Sequence, residues 1–395
     1  MKIKGIPYTG RLKDIGNTIL LIPSRLEDVA KASSKLPKPS EDRFQMNKVA
    51  KALHPKCQEL IITNVEELSP DFKRYTFKNR DDNLAYFRAG QYLSFPITIG
   101  SAVVTRAYSI ASSPAQVTGE HYYQIAVKRV PDGFVSGYIL DNWKRGMVVQ
   151  AYAPEGTFVY EPLRDAKHLI GVAGGSGITP FLSLAKALDA GIENMETYTL
   201  LYGAKTVEEL FFKDELDAIA ARNDNFNVVY VLSDEAVDNY EQGFINADLI
   251  RKYAPDEDQY SIFACGPKAM YNFLGGEVEK LNLRKKFVRF ELQGAAKNMA
   301  SEPAEYQLTV LNRGETVTCT CSSQETVLVA LEKAGVSVPV RCRSGECGYC
   351  RSKVVSGQYY LPEGVADYRR IADARFGYIH PCCAYPASDL TLKIN

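Results

Sequence analysis

A chain of 395 residues is too long for one ordinary hydrophobic core and implies two to four domains. Its 47 Lys and Arg balance its 47 Asp and Glu, which argues against nucleic acid as the main partner. No apolar run comes near the roughly 18 residues of a membrane helix, and the N-terminus MKIKGIPYTG has neither the apolar core nor the cleavage site of a secretion signal, so a cytoplasmic protein without a transmembrane segment is expected.

Residues 1–56 carry twelve Lys/Arg against five Asp/Glu, and their middle, KASSKLPKPSEDR, has the composition of a linker. We read them as a basic N-terminal extension in which Ile19 to Ala32 forms a short amphipathic helix beginning around Pro23, with Leu26, Val29 and Ala30 on one face. Such an arm either docks on an acidic partner or lies solvated along the next domain.

From Cys57 the pattern turns to short β runs: Glu59 to Asn64, Phe72 to Lys78, Gln91 to Ile97, Arg106 to Ile110, His121 to Val130 and Gly146 to Tyr152. Separated by turn residues and without long helical periodicity, they predict a small antiparallel β-barrel over residues 57–163. Three motifs follow one another inside it: Arg106-Ala107-Tyr108-Ser109, Gly133-Phe134-Val135-Ser136 and Pro154-Glu155-Gly156-Thr157-Phe158. In that order they resemble the R-x-Y-S, G-x-x-S and P-x-G-x-F of the ferredoxin-NADP reductase superfamily, whose flavin domain is such a barrel. The resemblance implies that Arg106 meets the flavin pyrophosphate, Tyr108 stacks on the isoalloxazine and Ser109 places a hydroxyl near N5, with Ala107 in the same strand. It also implies that Gly133, Val135 and Ser136 hold phosphate at a helix N-terminus. The motifs are closer to the FAD members than to the FMN-using phthalate dioxygenase reductases, so FAD is expected rather than FMN.

Residues 164–300 alternate strand and helix, which implies an α/β domain with a parallel sheet. Its first unit is a strand from His168 to Ala173, a turn over Gly174, Gly175, Ser176, Gly177, Ile178, Thr179 and Pro180, and a helix from Phe181 to Ala190. Glycines let the backbone approach a dinucleotide, and Pro180 suits a first helical turn. The turn is not G-x-G-x-x-G, and no acidic residue ends the next strand, LLYG; as G-x-G-x-x-P it resembles the nicotinamide domain of the same superfamily. Cys265-Gly266-Pro267, after the strand Tyr260 to Ala264, resembles that superfamily's C-G-P. By resemblance Cys265 stands beside the nicotinamide C4 and aligns the hydride; the alternative is a buried small hydrophobe. The superfamily's E-x-F is incomplete, because Glu291 is followed by Leu292 and Gln293, and this leaves Glu291 without an assigned role. After the strand Val228 to Leu232 the acidic turn Ser233-Asp234-Glu235 would repel a 2′-phosphate, which favours NADH over NADPH; Lys205 is the nearby cation that opposes this.

Ala300 to Ala304 read as a linker. Beyond it, Tyr306 to Asn312 and Thr316 to Cys321 form a hairpin about Arg313-Gly314, and Gln324 to Ala334 a helix capped by Ser323, which together give the β-grasp (α+β) pattern of plant-type ferredoxins over residues 304–395. Cys342, Cys347 and Cys350 stand at C-x4-C-x2-C, the spacing of three thiolates on one 2Fe-2S cluster. Gly345 and Gly348 let backbone N–H groups approach the sulfurs. A zinc site would show two short Cys or His pairs, and nine cysteines is an odd count for disulfides. The fourth ligand comes from His380 to Asp389, which contains Cys382 and Cys383; the run resembles the C-x-A-Y-P of plant-type ferredoxins, which implies Cys382. Cys319 and Cys321 share one strand face and are read as packing residues.

The order flavin, nicotinamide, ferredoxin resembles the reductase components that feed Rieske oxygenases, carnitine monooxygenase and hybrid-cluster protein. It implies an NADH-dependent iron-sulfur flavoprotein reductase that delivers single electrons to a partner protein, whether an oxygenase, a hybrid-cluster protein or another metalloenzyme. A redox-sensing module, or a diaphorase reducing a small molecule at its flavin, stay open as alternatives.

Overall fold

The computed structural model describes residues 44–53, 55–80, 83–100, 102–131, 133–255, 259–291, 302–312, 314–362 and 367–394. The helix expected over Ile19 to Ala32, Leu292 and Gln293, Ala300 and Arg313 lie outside the described residues. The chain divides into two compact units, residues 1–51 and residues 52–395. A helix that the sequence reading did not anticipate, Gln45–Leu53, crosses this boundary, and its described side chains are exposed.

The second unit opens with β1 (Cys57–Ser69), β2 (Phe72–Lys78), β3 (Tyr92–Ile99), β4 (Ala102–Ser109), β5 (Tyr123–Lys128) and β6 (Val148–Tyr152). Four of them form an antiparallel sheet in the order β5-β2-β1-β6, and β3 pairs with β4 in a second one. Bridges Tyr92 to Glu155 and Ile110 to Ile125 join the two sheets into a barrel. Period-two alternation explains the closure: Tyr75 and Phe77 of β2 point into the barrel, while Phe72, on the opposite face, packs on Phe211 of the next domain at a centroid distance of 4.6 Å, and all three are fully buried. Tyr75, Phe77 and Phe95 meet the single Trp143 edge-on at centroid distances of 5.7, 6.1 and 5.4 Å. Each such buried ring contributes roughly 1.5–3 kcal/mol, enough to fix the barrel that carries the motifs.

Next come β7 (His168–Gly174), β8 (Thr197–Ala204), β9 (Phe226–Leu232), β10 (Glu241–Gln242), β11 (Tyr260–Cys265) and β12 (Val288–Phe290), all parallel, in the order β10-β9-β8-β7-β11-β12. Every residue of β11 is buried, as a central strand covered on both faces requires. The chain leaves β7 to one side for β8 and returns on the other side as β11, so a crevice opens at their carboxyl ends. Here the structure shifts the expected boundaries: β7 runs through Gly174, and Thr179 and Pro180 already belong to the helix Thr179–Asp189. Cys265 is the last residue of β11 rather than the first of a turn.

The last part has β13 (Glu305–Asn312), β14 (Glu315–Ser322), β15 (Ser352–Ser356), β16 (Tyr359–Tyr360), β17 (Tyr378–Ile379), β18 (Tyr385–Pro386) and β19 (Leu390–Ile394). Its main sheet runs β14-β13-β19-β15-β17, with β13 and β19 parallel and the helix Val327–Lys333 packed beside β14. The expected cap is wrong by three residues. Thr326 caps the helix by accepting the Val329 N–H at 3.4 Å, whereas the Ser323 hydroxyl donates to the Glu302 carbonyl and accepts the Ala304 N–H. Ser323 ties down the strand entrance, so the chain cannot begin to coil until Thr326.

Candidate functional site

The carboxyl ends of β7 and β11 touch backbone to backbone. A Cβ on Gly177 would lie 2.3 Å from the Cys265 carbonyl oxygen, and one on Gly174 would lie 2.7 Å from Met270 Sδ. Gly175 takes a left-handed φ of +52° at the start of the turn. Gly174 to Pro180 and Cys265-Gly266-Pro267 therefore stand together at the crevice, far apart in sequence and in contact in space.

Glu291 bridges the flavin and coenzyme sides. Its carboxylate accepts hydrogen bonds from the Ser109 hydroxyl at 2.9 Å and from the Cys265 thiol. Burial pushes the Glu291 carboxyl above the ordinary carboxylate range, and burial followed by the Glu291 charge pushes the Cys265 thiol well up. The Tyr271 hydroxyl donates to the Glu291 carbonyl and accepts the Gly266 N–H, which locks this corner. The sequence reading, which sought an aromatic two residues on, left Glu291 unassigned. Its place is set instead by strand pairing: Phe290 lies opposite Ala264, and the Glu291 N–H donates to the Ala264 carbonyl at 2.8 Å.

Ser109 and Glu291 line a cavity of about 520 Å³ whose wall also holds Arg106, Ala107, Tyr92 and the cluster-loop residue Cys342. That volume is in the range of a cofactor site. Arg106 donates to the Thr105 carbonyl at 2.9 Å, and Glu332 is the carboxylate it pairs with, at 4.0 Å. Burial, with Arg343 nearby, lowers Arg106 to about 10. Tyr108 stands outside this lining, its ring 6.2 Å from Phe95 against the barrel core. Tyr92, which the sequence reading did not single out, faces the cavity across from Ser109 in the β3–β4 register, and a Cβ on Gly156 would come within 3.0 Å of its ring. Gly133 caps the helix Phe134–Asn142; Ser136 accepts the Val130 N–H at 3.0 Å, Val135 is buried, and Val130 reaches the cavity wall.

The four expected cluster cysteines converge as two pairs. Cys342 Sγ receives the N–H groups of Ser344 and Cys347 at 3.4 Å each, and the hydrogen bond from the Cys347 thiol pulls the Cys342 thiol down to about 5. Cys350 Sγ lies 3.4 Å from Cys382 Sγ, 32 residues away in sequence. Among the described residues no three His, Cys, Asp or Glu side chains converge as a single-ion site requires. Four thiols brought together by one loop and a distant segment, with backbone N–H groups donated to Cys342 Sγ, suit a dinuclear iron-sulfur group. Gly345 and Gly348 take φ of +85° and +70°, and a Cβ on Gly345 would approach Cys383 Sγ to 3.0 Å, so Cys383 supports the loop from behind. Cys321 is fully buried in the β14 core and Cys319 packs against it, both away from the four.

At the coenzyme end the Ser233 hydroxyl donates to Asp234 Oδ1 at 2.5 Å, Glu235 Oε2 accepts the Val207 N–H at 2.9 Å, and the Lys205 carbonyl accepts the Asp234 N–H at 3.0 Å. The acidic turn and Lys205 are thus neighbours.

Three families match successive parts of the chain: the oxidoreductase FAD-binding domain over residues 59–160, the oxidoreductase NAD-binding domain over residues 172–275 and the 2Fe-2S iron-sulfur cluster binding domain over residues 310–387. The glycine betaine monooxygenase reductase subunit of Pseudomonas aeruginosa is 28% identical over 345 residues, which are 82% of this chain and 91% of that protein. NADH-cytochrome b5 reductase 1 of Candida glabrata is 31% identical over 231 residues, 57% of this chain and 80% of its own length. Among solved structures, phthalate dioxygenase reductase, described as a modular structure for electron transfer from pyridine nucleotides to [2Fe-2S], aligns with a TM-score of 0.64 at 26% identity, covering 86% of this chain and 98% of its own. The chain belongs to the ferredoxin-NADP reductase superfamily of flavoproteins, which are NAD(P)H-dependent oxidoreductases. Within it, the chain is of the kind that carries a C-terminal plant-type 2Fe-2S domain. No helix among the described residues is long and apolar enough to cross a membrane.

Proposed function

We propose that this chain is the NADH-dependent reductase component of a two-protein system, passing electrons by way of FAD and a 2Fe-2S cluster to a partner metalloenzyme of the oxygenase kind. The observation that carries this is the shared cavity, whose wall holds the barrel's Ser109, the coenzyme domain's Glu291 and the cluster ligand Cys342 at once. Bound there, flavin supplies the step between a two-electron donor and a one-electron acceptor. Arg106 would hold its phosphate, and the Ser109 hydroxyl, fixed by its hydrogen bond to Glu291, would stand beside the ring. Cys265, tethered to the same carboxylate, forms the floor for the nicotinamide, and Gly174 and Gly177 let the coenzyme backbone in. Phe158 and Phe290 on the cavity wall exclude water from this junction. Cys342, Cys347, Cys350 and Cys382 hold the cluster. The Ser233-Asp234-Glu235 turn beside Lys205 keeps a 2′-phosphate out.

The test compares two acceptors. Full-length protein with NADH should reduce both ferricyanide and cytochrome c, and Cys347→Ser should keep the first activity and lose the second. A variant that reduces cytochrome c at the full rate would mean that electrons leave at the flavin and that the diaphorase reading is correct.

A further inference from the structure

The wall of the cavity nearest the cluster brings two guanidinium groups onto one carboxylate. Arg343 follows the ligand Cys342 and lines the cavity together with Cys342 and Ser344. Its backbone is left-handed, with φ of +59°, a conformation uncommon outside glycine that the loop imposes on a bulky residue. Arg343 forms an ion pair with Glu332, and the same carboxylate is 4.0 Å from Arg106 on the barrel. Glu332 is only 6% exposed, so two guanidinium groups from different domains share one buried carboxylate. The other acids of the lining accept from neutral donors, Glu291 from Ser109 and Cys265 and Glu346 from the Thr157 hydroxyl, so neither is paired with Arg106 or Arg343. Two guanidinium groups present more N–H donors than one shared carboxylate accepts, and an anion between them would take up the remainder. The depressed value of Arg106 reflects the same situation, since burial and Arg343 both act against its charge.

We propose that Arg343, a residue of the cluster loop, is a phosphate-binding residue of the flavin site, and that it closes on the flavin nucleotide's phosphate opposite Arg106. Glu332 is the counter-charge that the two arginines share while the phosphate is away. The ligand chemistry is a phosphate monoester or diester, recognised by one guanidinium from each domain. The inference rests on the flavoprotein reading, and it makes flavin retention a joint property of the barrel and the ferredoxin-type domain. Sequence motifs could not show this, because Arg106 and Arg343 are separated by more than half the chain.

The test uses full-length protein stripped of flavin and titrated with FAD, FMN and riboflavin, which has no phosphate, while iron content and the visible cluster spectrum are followed. Arg343→Gln should raise the Kd for FAD and FMN by about tenfold or more, as expected on losing one charge-assisted hydrogen bond, and leave riboflavin unchanged. Arg343→Lys should recover part of the loss. An unchanged Kd for FAD and FMN, or an equal loss for all three flavins, would overturn the proposal. Should Arg343→Gln fail to assemble its cluster, Glu332→Gln decides: it releases both arginines and should tighten FAD and FMN several-fold without affecting riboflavin, and no tightening would overturn the proposal. Wild-type protein that binds none of the flavins would overturn the reductase reading and this inference together, whereas wild-type binding with an indifferent Arg343→Gln would overturn this inference alone.

Discussion

Replacing Arg341 with Ala should loosen the seam between the barrel and the cluster loop. The Arg341 guanidinium pairs with Glu155, lies 4.6 Å from the Tyr152 ring centroid and 4.1 Å from that of Tyr349, and its carbonyl accepts the Ser94 hydroxyl at 3.4 Å. With 14% side-chain exposure for Arg341 and 23% for Glu155, the pair is mostly dry. Two cation–π contacts contribute about 0.5–1 kcal/mol each. Glu155 Oε2 is already buried without a hydrogen bond, and burial holds its carboxyl above the ordinary range even with Arg341 present. Removing Arg341 strands the other oxygen too, at about 1–2 kcal/mol, limited because the group can take up a proton instead. The sum is roughly 2–4 kcal/mol. Urea unfolding followed by cluster absorbance should show a shift of that size. Stopped-flow mixing with NADH should show flavin reduction at the wild-type rate and cluster reduction slowed. Glu155→Gln combined with Arg341→Met should recover about half of the loss, because the uncompensated carboxylate is gone. A shift below about 0.5 kcal/mol with unchanged cluster reduction would refute the idea that this contact seats the two domains.

Cys382→Ser should lose the cluster's visible spectrum and iron, while Cys383→Ser keeps both, because Cys382 Sγ lies 3.4 Å from Cys350 Sγ and Cys383 Sγ sits behind Gly345; the reverse result would exchange their roles. The kcat/KM with a dye acceptor should favour NADH over NADPH by at least roughly tenfold, about 1.4 kcal/mol, and Lys205→Ala should leave that ratio in place. Glu291 is raised by burial, so the native state holds a proton that the unfolded chain releases above about pH 4.5. Its contribution to stability is therefore lost as pH rises through the raised value, with a slope of at most about 1.4 kcal/mol per pH unit, and Glu291→Gln should flatten that part of a urea-denaturation pH series. Flavin released by acid and separated by chromatography should be FAD rather than FMN.

What could be read from the chain was whatever local pattern fixes. Period-two runs such as Phe72 to Lys78 announced the barrel, the strand-turn-helix rhythm after His168 announced the parallel sheet, and the spacing of Cys342, Cys347 and Cys350 announced a thiolate loop. What escaped depends on partners distant in sequence. Glu291 takes its position from β12 pairing with β11, and Tyr92 from its register opposite Ser109. The pairing of Arg341 with Glu155, and of Glu332 with Arg106, exists only when one domain packs on another, which no window of sequence contains. The misplaced helix cap is a smaller case: Ser323 and Thr326 are both good caps, and only the tertiary demand of Ala304 on Ser323 decides between them.

The parallel pairing of β13 with β19 bears on when iron can enter. β19 lies between β13 and β15, so the sheet that backs the cluster loop has no middle until residues 390–394 have emerged from the ribosome. Leu308 must wait for Leu390, a separation of 82 residues, and Cys382 is brought up on the same closing segment. The barrel and the coenzyme domain precede all of this and can fold while the chain is still being made. Metal assembly thereby waits for β19, and a protease that removes that strand would leave the barrel and the coenzyme domain in place while taking the centre out of the sheet behind the cluster loop.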